Sequence, residues 1–192
     1  MGVVAIVQAR LGSARFPRKA LAELNGKPLI AHVIERVEQI RGIDDVILAC
    51  PHFDGEEFQR VLPRTTVCSP LIPDNDVLGR YAIIAEYLKC ETIMRVTGDC
   101  VLFDPRIAEQ VLACYDRDPL AEYASNLGSS SYTDGIDCEV FSREALLWAN
   151  RAATDPHDRE HVTSWLRRNV RCVTLKTSID TPEDLAFVRS LL

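Results

Sequence analysis

The sequence predicts an α/β fold with a mainly parallel sheet, in one domain over residues 1–192. Three observations carry that prediction. Short apolar runs alternate with stretches of helical period along the chain, which is the pattern of strands joined by crossover helices. Chemically loaded segments follow the first, fourth and last strands, where open α/β sheets bind ligands. The composition, 47% hydrophobic and 26% charged with 9 Gly and 10 Pro in 192 residues, suits a folded soluble domain and excludes collagen, coiled coil and disorder.

Each element has its own signal. Val3 to Gln8 is a short apolar run, as in a strand buried on both faces. A polar, basic stretch follows over 9–19. From Pro28 to Ile40 the residues Leu29, Val33, Val37 and Ile40 fall on one helical face. Val46 to Cys50 reads as the second strand, Glu56 to Leu62 as a helix and Thr65 to Cys68 as the third strand. Val77 to Leu88 carries apolar residues at 77, 78, 81, 84, 85 and 88, a helical face. Thr92 to Val96 is the fourth strand, ended by Thr97-Gly-Asp-Cys100. Pro105 to Tyr115 is a helix with proline in its first turn. Glu139 to Phe141 is a strand, and Ser142 caps a helix reaching about Ala152. Arg159 to Arg168 reads as a helix and Cys172 to Leu175 as a strand. Thr181-Pro-Glu-Asp184 starts a last helix, with a cap, a proline at N1 and acids at the positive end of the dipole.

Charge and cysteine usage bound the partners. Acids exceed bases by 28 to 22, for a net charge of −6. A broad nucleic-acid face is therefore not expected, because it needs clustered Lys and Arg; a local cationic pocket is still allowed. No run approaches the roughly 20 apolar residues that span a bilayer, so membrane insertion is not expected. The N-terminus lacks a basic n-region and reads as a strand. The seven cysteines include no CxxC spacing, and reduced thiols in a cytoplasmic protein account for them.

The loaded segments narrow the chemistry. Segment 9–19 carries Arg10, Arg15, Arg18 and Lys19 with Gly12 and Ser13 between them. After a strand, such a loop either aims N–H groups and cations at a polyphosphate or is a solvated basic loop. The P-loop and dinucleotide fingerprints are both absent. Asp99 and Asp180 follow two strands, and each is either a Mg²⁺ ligand or a turn residue. His157-Asp-Arg-Glu-His161 matches the inverted zinc-protease pattern HxxEH, but Asp155-Pro156 puts His157 in the first turn, and zinc is not expected there.

In order along the chain, Gln8-Ala-Arg-Leu-Gly-Ser-Ala-Arg-Phe-Pro-Arg-Lys19 with Asn25-Gly-Lys-Pro-Leu29, Asp76-Val-Leu-Gly-Arg-Tyr81, Arg95-Val-Thr-Gly-Asp99 with Asp104-Pro105, Asp134-Gly-Ile-Asp-Cys-Glu-Val-Phe141, Arg159-Glu-His-Val-Thr163 and Ile179-Asp-Thr-Pro-Glu-Asp-Leu185 resemble the cytidylyltransferase family. That family includes the CMP-sialic acid and CMP-Kdo synthetases, and the motifs are most similar to its spore coat polysaccharide biosynthesis protein F group. The resemblance implies a three-layer, Rossmann-like (GT-A-like) nucleotidyltransferase. A sugar hydroxyl would attack the α-phosphate of CTP and release pyrophosphate, for cell-surface or spore coat polysaccharide. By motif, Arg10, Gly12, Ser13, Arg15 and Lys19 would hold the triphosphate, and Arg80 would help place the nucleotide. Asp99 and Asp180 would hold Mg²⁺, and Lys19, Asp99 and Asp180 would form the catalytic set. Asp134, Asp137, Glu139, Arg159 and His161 would face the acceptor sugar.

Three features depart from the family pattern. Arg18 stands where Gly is usual, and Val101 where Pro is usual. Only ten residues, Ser164 to Val173, separate Thr163 from Thr174; relatives carry a longer insertion there, tied to dimer formation and sugar contacts, which leaves a homodimer open. A GT-A glycosyltransferase, a nucleotidyltransferase using another NTP, and a nucleotide-binding protein without activity are the competing readings.

Overall fold

The computed structural model describes residues 2–127 and 135–175, together with Pro182, Ala186 and Arg189. Asp134, Asp180 and most of the helix expected from Thr181 lie outside the described residues. In chain order the strands are β1 (Val3–Gln8), β2 (Glu23–Leu24), β3 (Lys27–Pro28), β4 (Asp45–Ala49), β5 (Thr66–Cys68), β6 (Thr92–Thr97), β7 (Tyr123–Ser125), β8 (Glu139–Ser142) and β9 (Cys172–Thr174). The helices are α1 (Leu29–Val37), α2 (Gly55–Val61), α3 (Val77–Leu88), α4 (Pro105–Arg117), α5 (Arg143–Ala152), α6 (Pro156–His161) and α7 (Leu166–Asn169).

Among the described residues the main sheet runs β5-β4-β1-β6-β8-β7-β9. β8 is antiparallel to both its neighbours, and every other pairing is parallel. The chain winds outward from β1 to β4 and β5, then returns to lay β6 on the other flank of β1. The winding direction reverses there, which opens a crevice at the carboxyl ends of β1 and β6.

Strand alternation builds a core on each face. Ala5 and Val7 of β1 point into one core with Val33 and Val37 of α1, Phe58 of α2 and Val111 of α4. Val4 and Ile6 point into the other with Leu78 and Tyr81 of α3 and Leu146 of α5. The result is the three-layer arrangement expected. Each fully buried Ile, Leu or Phe side chain contributes about 1.5–3 kcal/mol, so the central strands β1 and β6 are the most firmly held.

Three local features differ from the sequence expectation. Asn25 and Gly26 take φ 51° and 80° and join β2 to β3 as a hairpin, the primed turn that Asn-Gly favours. β7, only three residues long and fully buried, has too few positions to show a period. The helix expected over 159–168 is broken into α6 and α7. At the break the wholly buried Val162 adopts φ 52° and ψ −61°, and Thr163 N–H donates to the His161 carbonyl at 2.5 Å. That is a γ-turn, a strained conformation for a β-branched residue. It is held from both sides: the buried Asp158 accepts from Ser164 Oγ at 2.6 Å and from Arg168 Nη2 at 2.7 Å. Trp165 also packs edge-on against Trp148 of α5, with ring centroids 4.9 Å apart.

Candidate active site at the carboxyl ends of β1 and β6

The crevice at the winding reversal is a cleft of about 330 Å³, with walls from the 9–20 segment and from residues 97–99. Backbone bonds fix its floor. Ala9 N–H donates to Ala49 O at 3.1 Å, and Gly98 N–H to Gln8 O at 2.7 Å. The basic loop is then pinned as it leaves the sheet. Leu11 N–H donates to Asp54 Oδ2 at 2.8 Å, and Arg18 N–H closes the loop onto Leu11 O at 2.9 Å.

Closing the loop puts Arg18 at φ 60°, a conformation glycine takes freely and other L-residues at a cost of about 1–2 kcal/mol. This explains why glycine suits the position. Arg18 is tolerated with its guanidinium turned away from the cleft, onto Glu57 of α2. On the other wall, Val101 N–H donates to Asp99 O at 3.0 Å, a bond proline cannot make.

The cleft gathers Arg10, Ser13, Arg15, Lys19 and Asp99. Lys19, at the start of a short 3₁₀ turn, forms an ion pair across the cleft with Asp99. Burial acts to raise the Asp99 pKa, but the Lys19 bond and charge, the Thr97 hydroxyl and the residue's own backbone N–H outweigh it. Asp99 is therefore held as a carboxylate below its usual range. Arg10 stands at the mouth, 3.4 Å from Glu160 of α6. Gly12 is exposed and off the cleft wall, with no heavy atom within 4 Å of where its Cβ would be.

Other expected site residues lie off the lining of this cleft and are bonded to partners within the chain. Arg80, expected near the nucleotide, is buried in α3, with Nη2 on the carbonyls of Pro73 (3.4 Å) and Asp74 (3.3 Å). Arg159, expected to face a sugar, bonds Asp76 Oδ1 through Nε at 2.8 Å and Asn150 O through Nη1 at 2.8 Å. Asp76 is also the N-cap of α3 and accepts from Gly79 N–H at 3.0 Å; a Cβ on Gly79 would lie 2.5 Å from that carboxylate. The Asp-x-x-Gly-Arg and Arg-Glu-His-Val-Thr motifs thus interlock. Glu139, also expected at the sugar, is only 1% exposed. It pairs with Arg95 and accepts from Tyr123 Oη at 2.7 Å and Thr163 Oγ1 at 2.5 Å.

Asp137 lies beside Cys100, whose thiol is pushed up by burial first and then by the charges of Asp99 and Asp137. His161 is exposed at the end of α6, its ring 4.3 Å from that of His157. Among the described residues no three His, Cys, Asp or Glu side chains gather into a metal-binding group. Gln8 and Thr97, which stand in the motifs without an expected role, also line the cleft; their signal is their place as the paired last residues of adjacent strands.

A family model described as cytidylyltransferase matches residues 4–188. Over 127 residues the chain is 35% identical to 3-deoxy-manno-octulosonate cytidylyltransferase of Pelobacter propionicus, covering 65% of this chain and 49% of that protein. It is 31% identical over 125 residues to 8-amino-3,8-dideoxy-manno-octulosonate cytidylyltransferase of a Shewanella species, with 62% and 49% covered. The chain thus spans about half the length of the curated relatives it matches. A cytidylyltransferase structure from Leptospira borgpetersenii superposes with a TM-score of 0.81 at 23% identity, over 99% of this chain and 86% of that one. A CMP:2-keto-3-deoxy-manno-octonic acid synthetase complexed with CTP gives 0.71 at 19% identity, over 100% and 98%. At such identities the two structures establish the fold, and the family model, matched along almost the whole chain, establishes the rest: this chain belongs to the cytidylyltransferase family.

Proposed function

We propose that the chain transfers CMP from CTP to a hydroxyl of a small sugar acid of the 3-deoxy-ulosonate class, for a cell-surface or spore coat polysaccharide made from a cytoplasmic precursor. The observation that carries the proposal is the cleft: a cationic loop after β1 faces Asp99 after β6 where the winding reverses. A triphosphate needs clustered cations and N–H donors. Arg10, Ser13, Arg15 and Lys19 would supply them. The triphosphate would compete with Asp99 for the Lys19 ammonium.

In the reaction the sugar hydroxyl oxygen bonds to the α-phosphorus of CTP. The bond from that phosphorus to the bridging oxygen breaks, pyrophosphate leaves, and the hydroxyl proton passes to solvent. Such transfers rest on positioning and on charge stabilisation. The loop backbone, pinned by Asp54 and by the Arg18–Leu11 bond, would present its donors to the phosphates from a fixed frame. The donor set also fits Mg²⁺: Asp99 offers a half-exposed, ionised carboxylate at a strand end, the hard oxygen ligand this ion takes along with substrate phosphates. By motif Asp180 would be the second ligand. When bound, Mg²⁺ neutralises charge building on the α-phosphate and the leaving pyrophosphate.

The test is a screen of each NTP against 3-deoxy-ulosonic acids with Mg²⁺, read as pyrophosphate release. Release only with CTP plus a sugar acid is expected. Sugar transfer from a nucleotide-sugar without pyrophosphate would reverse the assignment to a glycosyltransferase. Nucleotide binding with no release on any sugar would reduce the chain to a binding protein.

A further inference from the structure

We infer that Gln8 is a specificity-determining residue of the cleft, its side-chain amide locked so that the N–H₂ group, not the carbonyl oxygen, faces the ligand. The inference rests on the reading of the cleft as the CTP and sugar site.

Gln8 is the last residue of β1, lies opposite Thr97 of β6 and lines the cleft. Strand alternation puts Gln8, Thr97 and Arg95 on one face of the sheet. Arg95 Nη2 reaches Gln8 Oε1 at 3.4 Å. A guanidinium carries donors only, so only the oxygen end of the amide can turn toward it; the other orientation would set donor against donor. The N–H₂ end is left for the cleft.

Arg95 cannot swing to release the amide. Its Nη1 is paired with Glu139 Oε2 in the interior. Glu139 is held in turn by the hydroxyls of Tyr123 and Thr163 on its other oxygen. Thr163 is fixed by the γ-turn at Val162. The strained turn, the buried ion pair and the amide therefore form one line that ends at the ligand.

The lining of the cleft is of two kinds. Arg10, Arg15, Lys19 and Asp99 are charged, and the cations suit phosphates. Gln8 and Thr97, the paired last residues of β1 and β6, are uncharged. An N–H₂ donor there gives nothing to a group that must donate and suits a ligand group that can only accept, such as a carbonyl or carboxylate oxygen. Both the cytosine base and a sugar acid offer one, and the experiment separates them.

Gln8→Glu keeps shape and length, keeps an oxygen for Arg95, and replaces the donor with a second oxygen. Gln8→Met removes the donor without adding charge. Both are measured for CTP affinity by calorimetry without sugar, and for sugar KM at saturating CTP, alongside thermal melting. The expected result is a melting temperature kept in both variants and a loss of about tenfold or more in one arm, shared by Glu and Met. Loss in the CTP arm assigns the amide to the base; loss in the KM arm assigns it to the sugar. Wild-type values for Gln8→Met in both arms, or for Gln8→Glu in both, would overturn the inference. So would losses in both arms that track a fall in melting temperature, since these mark a purely structural role. Failure of the functional reading appears separately, as a wild-type protein that neither binds CTP nor releases pyrophosphate.

Discussion

Replacing Gly98 by Ala tests whether the cleft depends on the close approach of β1 and β6. A Cβ at this position would lie 2.8 Å from Gln8 O, 2.9 Å from Ala9 Cβ and 2.9 Å from Ile30 Cδ1. The Ile30 methyl is the end of a flexible side chain and can rotate. The Gln8 carbonyl and Ala9 Cβ are fixed to the backbone, so the strand ends must part by roughly half an ångström to restore ordinary contact, at the ~1–3 kcal/mol that overpacking costs. Parting them also stretches the 2.7 Å bond from Gly98 N–H to Gln8 O. About 2 kcal/mol in a domain of this size lowers Tm by roughly 4–8 °C. Turnover should fall further than stability, because Gln8, Ala9 and Asp99 all line the cleft and a shift of about 1 Å in positioning can cost ~10²-fold. The assays are a urea or thermal melt and pyrophosphate release with CTP. Gly12→Ala is the control for the melt: nothing surrounds its Cβ position, so its stability should stay within about 0.5 kcal/mol of wild type. A Gly98→Ala protein with wild-type Tm and turnover would refute the reasoning.

The remaining expectations are narrower. Lys19→Ala should weaken CTP by roughly 1.5–3 kcal/mol and CMP by less, since CMP lacks the outer phosphates; equal losses by calorimetry would place Lys19 elsewhere. Asp99→Asn should remove Mg²⁺-dependent turnover by well over tenfold while changing stability by less than about 1 kcal/mol, because its ion pair is half exposed; retained turnover in the purified variant would dismiss the role. Glu139→Gln leaves the buried Arg95 cation without its counter-charge, and a urea titration should show a loss of about 3–5 kcal/mol; a change under 1 kcal/mol, on the order of a surface pair, would contradict the account of the interior. Finally, stability should decline below about pH 4, the ordinary carboxylate range. Asp99, Asp104 and Asp158 are each held below their usual pKa, Asp99 despite its burial, Asp104 first by Arg106 and Asp158 first by Ser164. Each therefore contributes above its unfolded pKa and loses that contribution as pH falls through its folded pKa. A flat melting temperature from pH 5 to pH 3 would rule this out.

The sheet was legible because burial on two faces writes long apolar runs. β1 is found residue for residue, and α3 likewise, because Val77 to Leu88 carries its apolar residues at helical spacing and packs against both the sheet and α5. What escaped was set by particular side-chain and strand contacts rather than by apolar periodicity. β7 owes its extended form to pairing with β8 and β9, not to any pattern in three residues. The break between α6 and α7 is fixed by Asp158 reaching Ser164 and Arg168; local propensity alone would have run the helix through Val162. The β2–β3 hairpin does carry a readable local signal, the Asn25-Gly26 dipeptide of a primed turn.

The site was legible in a different way. The loaded loop and Asp99 meet in the cleft because both follow strands flanking the winding reversal, and that follows from topology alone. Among the motif residues that do not line the cleft, Arg80, Arg159 and Glu139 are each engaged by partners inside the chain, Arg80 by the nearby Pro73 and Asp74 carbonyls and the other two by residues far off in sequence. Arg159 finds Asp76 across 83 residues, and Glu139 finds Arg95 across 44. Here the interior partners do a prior job. The Asp76–Arg159 clamp fixes the start of α3 against α6, and Glu160 of the same helix reaches Arg10 at the cleft mouth. The Arg95–Glu139 pair ties β6 to β8 two residues behind Thr97. Loss of either should therefore reach the cleft through backbone position, and would be mistaken for loss of a ligand contact by any assay that reads turnover without stability.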